Sequence, residues 1–60
     1  MFTETDKLAC AKRELKFRER VYPRLIDTGK MTAALAAREL DLMRAIVDDY
    51  KIKAAGERLL

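Results

Sequence analysis

One short break governs what this chain can become. The segment TGKMT, residues 28–32, sets a glycine between threonines inside a pattern that otherwise reads as helix. Gly29 suits the left-handed position after a helix end, because it has no Cβ to crowd the neighbouring carbonyl. Thr32 suits the cap of a second helix beginning near Ala33, its hydroxyl oxygen accepting from a free amide of the first turn. Two long helices joined by so few residues must lie antiparallel. One proline and two glycines in 60 residues, with Ala, Leu, Arg, Lys and Glu abundant, leave nothing that reads as a strand. The expected fold is all-α: a single helical hairpin domain over residues 1–60, with helices over about 4–28 and 33–55 and a turn at 29–32.

In the first helix, Leu8, Ala11, Leu15, Val21 and Tyr22 fall on one side at about 100° per residue, with Cys10 and Phe17 at its margin. Thr3 or Thr5 can cap its start, and Glu4 and Asp6 are favourable in the first turn. Pro23 removes a backbone donor and crowds the carbonyl of Glu19, yet Leu25 returns to the apolar side beyond it. The retained phase predicts a helix that is kinked at Pro23 and continues. In the second helix, Ala36, Leu40, Met43, Val47, Tyr50 and Ala54 follow steps of four and three, a heptad seam flanked by Leu35, Leu42 and Ile46. Arg44 with Asp48, and Asp49 with Lys53, are spaced to pair on its outside. Gly56 reads as the end of this helix, with residues 57–60 beyond it.

Each apolar arc approaches half a helix circumference, more than one neighbour covers. The expectation is a homodimer forming a four-helix bundle, or else a groove for another protein, whether from a host or a virus. Oligomerisation also matters because 60 residues form a marginal core, and the usual supports are missing: the chain has no His and only Cys10, so an intrachain disulfide and a multi-Cys/His zinc site are both excluded. No cofactor is expected. No apolar run approaches the ~18 residues of a membrane span, and MFTETDKLAC lacks a signal-peptide core, so the reading is a cytoplasmic protein without a membrane partner.

The segments RVYPRLIDTGKM and ARELDLMRAIVDDY together carry the pattern V-Y-P-R, then G-x-M, then E-x-x-x-M-x-A-I with D-Y. In this the chain resembles short uncharacterised proteins encoded in bacteriophages and prophages, over most of residues 18–50. The resemblance implies a viral or mobile-element setting and brings no catalytic activity with it.

Charge is distributed unevenly. Residues 1–30 hold eight Lys/Arg against five Asp/Glu, while residues 31–60 hold five of each, so the net +3 belongs to the first half. Arg13, Lys16, Arg20 and Arg24, spaced three, four and four apart, make a basic stripe opposite Leu15, with Lys12 nearby. Such a stripe can neutralise phosphates without reading bases, giving weak, sequence-nonspecific nucleic-acid binding, or it can simply be a solvated helix face. With no aromatic residue alternating along it, stacking of single strands is not expected.

Glu14, Arg18 and Glu39 fall inside the apolar arcs, which predicts a shared buried ion cluster, since charges inside apolar surfaces persist when paired. The competing reading, a carboxylate pair for acid–base chemistry, lacks a pocket, a His or a metal site to work with. TGKMT shares a Gly-Lys pair with phosphate-binding loops but lacks the earlier Gly, the preceding strand and a Ser or Thr directly after Lys30. Cys10 reads as a small packing group, and Met31, Met43 and Tyr50 as core or interface. The function read from the sequence is a small interaction module without catalytic activity; the alternative is a nonspecific nucleic-acid-binding accessory protein.

Overall fold

A computed structural model describes residues 1–58. They form two helices, α1 over Glu4–Asp27 and α2 over Ala33–Arg58, and no strand occurs among the described residues. The helices pack along their length as a hairpin of 47 × 17 × 15 Å.

Local chemistry sets each end of α1. Thr3 and Asp6 form a capping box: Thr3 Oγ1 accepts from the Asp6 amide at 3.0 Å, and Asp6 Oδ2 accepts from the Thr3 amide at 3.1 Å. At the other end Gly29 takes φ +75°, and the amides of Lys30 and Met31 both donate to the Leu25 carbonyl, at 2.9 and 3.1 Å. These bonds satisfy the Leu25 carbonyl, one of those that a helix end otherwise leaves open. Thr32 then starts α2, its Oγ1 accepting from the Leu35 amide at 3.1 Å. Between the ends, α1 runs on through Pro23. Pro23 is exposed, and so is Glu19, whose carbonyl the proline leaves without a helical donor, so water can take that place.

The seam follows heptad steps in both helices. In α1 the positions Glu4, Leu8, Ala11, Leu15, Arg18, Tyr22 and Leu25 are all buried or half-buried; in α2 so are Ala36, Leu40, Met43, Val47, Tyr50, Ala54 and Glu57. Leu8, Ala11, Ala36, Met43, Val47 and Ala54 form the buried set. The apolar rows therefore face one another, interrupted by Arg18 near the middle and by Glu4 and Glu57 at the open end.

That open end corrects one expectation. Gly56 lies inside α2, and Glu57 and Arg58 continue the helix; Leu59 and Leu60 lie outside the described residues. The reason is a contact across the hairpin. The Glu57 carboxylate accepts from the Glu4 amide at 2.8 Å and from the Thr5 amide and hydroxyl, each at 3.0 Å. It thus satisfies free amides in the first turn of α1, where the helix dipole also favours an anion, and the docked side chain holds the last turn of α2 in helical form.

The Glu57 carboxyl is held below the usual glutamate value, chiefly by the hydrogen bond from the Glu4 amide, with the Thr5 donors adding to it and partial desolvation and Asp6 opposing it. A lowered native value means that the contribution is complete above the unfolded value of about 4.3 and is lost as pH falls through the native one. Glu57→Gln should therefore be less stable than wild type in urea at pH 7, with the gap closing once the pH is taken well below 4.3. For the glycines, an added Cβ at Gly56 meets nothing within 4 Å and the residue has no positive φ. Gly56→Ala should raise stability by about 0.5–1 kcal/mol, whereas Gly29→Ala should lower it by about 1 kcal/mol. A loss at Gly56 would mean that the helix ends there after all.

Candidate functional site

Because the helices pair along one seam, each flank of the hairpin shows one edge of α1 beside one edge of α2. One flank is polar. Arg44 Nη2 reaches Glu19 Oε2 across the hairpin at 3.4 Å and its Nη1 reaches Asp41 Oδ1 at 3.3 Å, while Lys51 Nζ lies 4.0 Å from Asp48. Arg44 and Asp48 thus take partners other than each other. Lys53 likewise lies with its ammonium 4.9 Å from the centre of the Tyr50 ring, not beside Asp49. A partner across the hairpin or one turn back is available in each case, and these exposed side chains choose among nearly equal contacts.

The opposite flank carries the predicted ion cluster. Arg18 Nε donates to Glu14 Oε1 at 2.9 Å, and Arg18 Nη1 lies 3.7 Å from Glu39 Oε2. The hydrogen bond to Glu14 raises the Arg18 pKa above its ordinary value; desolvation opposes it, and Tyr22, Glu14 and Glu39 add to it through charge. The three groups are together but not buried. Their side chains remain 26% (Arg18), 46% (Glu14) and 36% (Glu39) exposed, and no polar or charged residue among those described is fully buried. An arginine is long enough to stand at a seam position and lead its guanidinium out to the flank, its stem packing and its head staying wet. The cluster therefore ties α1 to α2 without the desolvation cost expected of a buried triad.

Leu35, Leu42 and Ile46 stand four before, three after and seven after Glu39, and Val21 stands seven after Glu14. Residues so spaced share a helix edge. Since Arg18 draws Glu14 and Glu39 to one flank, the apolar row lies on that flank too. Leu35, Leu42 and Ile46 are left 46%, 44% and 43% exposed, and Val21 is half-buried. Sequence reasoning noted these α2 residues as a shoulder of the seam; the structure leaves them uncovered.

On the back of α1, Arg13, Lys16, Arg20 and Arg24 are all exposed. None of the four makes an ion pair among the described residues. The expectation that no aromatic stands among them is corrected. Phe17 is 49% exposed, and the Arg20 guanidinium carbon lies 5.7 Å from the centre of its ring. Together Arg13, Lys16, Phe17 and Arg20 line a depression of about 350 Å³. The signal was in the spacing: positions 13, 16, 17 and 20 are the corners of one patch of helix surface. A wheel drawn around the apolar arc hid it by assigning Phe17 to the arc's edge. Cys10, expected to pack, is exposed beside Phe2, Asp6, Lys7, Ala9 and Arg13.

Among the described residues no three His, Cys, Asp or Glu are grouped to hold a metal ion, and no helix is long and apolar enough to cross a membrane. No family model matches the chain, and no curated protein or solved structure is significantly similar to it.

The exposure of the ion cluster sets the size of its effect. Loss of a buried charge partner costs about 3–5 kcal/mol, whereas half-exposed pairs contribute about 1 kcal/mol or less. Arg18→Ala should thus lower stability by about 1 kcal/mol in chemical denaturation, leaving the domain folded. A loss several times larger would show that the cluster is sealed from water in solution.

Proposed function

We propose that this hairpin is a small protein–protein interaction module without catalytic activity, of bacteriophage or prophage type, whose first partner is a second copy of itself. Two hairpins pack through the flank bearing Leu35, Leu42 and Ile46 into a four-helix bundle. The observation that carries the reading is that row of half-exposed aliphatic side chains, set around the Glu14–Arg18–Glu39 cluster while the other flank is laced with ion pairs. Charges inside an apolar interface fix the register of surfaces that would otherwise slide, and the cluster suits that role. A bend of α1 at Pro23, which its ring and missing donor favour, would shape the turn end of the same flank. The surfaces left over after dimerisation are then open to a host or viral protein.

A second reading, a nucleic-acid-binding accessory protein, is favoured by one specific observation: the basic stripe has no carboxylate partner among the described residues, whereas Arg18 of α1 and Arg44 of α2, each of which reaches the facing helix, have two each. Charges left uncompensated in this way attract a polyanion.

Light scattering after size exclusion should give twice the chain mass at micromolar concentration. Leu42→Glu with Ile46→Lys should weaken the dimer by about 30-fold or more, the scale of an interface hot spot, while the helical content of the hairpin is kept because both sites are exposed. A cooperative, folded monomer at every concentration would overturn self-association and leave the flank to a different protein.

A further inference from the structure

We propose that Arg13, Lys16, Phe17 and Arg20 form a platform for single-stranded nucleic acid, on which Phe17 stacks against an unpaired base while the flanking cations hold adjacent phosphates. The inference rests on the nucleic-acid reading and gives it a ligand class.

Three observations converge on this patch. First, its positive charge is uncompensated by design of the fold. The only carboxylates between residues 13 and 24 are Glu14 and Glu19. Both are drawn away, Glu14 to Arg18 and Glu19 to Arg44, so neither neutralises the stripe. Second, Phe17 is an aromatic ring that takes no part in the buried set and stands about half in water. A base offers such a ring a π-face of matching size, and stacking on it is tolerant of sequence. Third, the ring and the cations surround one depression, with Arg20 already lying against the Phe17 ring. Arginine at an aromatic face is the arrangement that stacking platforms combine with backbone contacts. Arg24 extends the track, so the basic residues run about 16 Å along α1 at 1.5 Å per residue.

The ring decides between strands. In a duplex the base faces are already stacked on one another, so Phe17 has nothing to join and only phosphate contacts remain. An acidic protein surface would satisfy the cations but offers the ring no flat partner.

The test is fluorescence anisotropy at low salt with a labelled oligothymidylate, beside a duplex of equal length. Binding to the single strand should weaken with a log–log salt slope near −3, as four phosphate contacts at about −0.7 each require. Arg20→Gln with Arg24→Gln should make that slope shallower by about 1.4. Phe17→Ala should weaken single-strand binding about fivefold or more and leave duplex binding unchanged, and Phe17→Tyr should restore it. All these positions are exposed, so circular dichroism should show each variant as helical as wild type. If Phe17→Ala binds the oligothymidylate as tightly as wild type, or if polyglutamate competes as well as unlabelled oligonucleotide, the stacking platform is overturned while the stripe remains a polyanion surface. If neither single strand nor duplex binds, the nucleic-acid reading falls with it.

Discussion

Close approach of the two helices is the constraint on which the rest of the hairpin depends. Of the six buried residues, Ala11, Ala36 and Ala54 are alanine, and Ala36 and Ala54 are the most fully covered, at 2% and 1% exposure. Small side chains let two helix backbones come near, but each removes little apolar surface from water. The seam thus gains proximity at the expense of core volume, in a chain already near the lower limit for an independent domain. What the core lacks in volume is made up at the ends. The Gly29 turn closes one end and the Glu57 carboxylate closes the other. Both work only because the helix axes are close enough for short contacts to cross.

The charges are arranged in consequence. At a narrow seam the long side chains of Arg18 and Arg44 reach the facing helix, and they bridge the hairpin from opposite flanks. In doing so they engage the acidic residues of α1 that sit nearest the basic stripe. Packing at the seam therefore shapes the electrostatics on the far side of the helix: Glu14 and Glu19, the carboxylates interspersed with the stripe, are engaged elsewhere. The apolar row of Leu35, Leu42 and Ile46 has the same origin, since a two-helix seam has room for one stripe per helix and the shoulder of α2 is wider than that.

Much of this was legible in the sequence, and what was not has physical reasons. The α2 seam could be read because its residues repeat in strict steps of four and three, and the turn because Gly29 and Thr32 act on their immediate neighbours. Glu14, Arg18 and Glu39 could be brought together on paper because their wheel positions converge. Their exposure could not be read, since a wheel records the direction of a side chain but not its length. Gly56 misled because glycine is judged by local preference, whereas its conformation here follows from Glu57, whose hydrogen-bond partners are 52 and 53 positions away. Phe17 was hidden by its type: an aromatic beside an apolar arc is counted with the core, whereas its neighbours here are the cations Arg13, Lys16 and Arg20.

That separation of more than fifty residues also orders events in time. As the chain leaves the ribosome, α1 is complete long before Glu57 exists, and until then the Glu4 and Thr5 amides are left to water. The first helix is held only by its own capping box and its own propensity, which are modest for an isolated segment of this length. The bonds that join the open end form last, only after Glu57 has been made, and their loop-closure cost is offset only once the seam has zipped from the turn. The hairpin is therefore a structure that closes late and as a unit, and until it does so the apolar side of its first half has no partner helix to cover it.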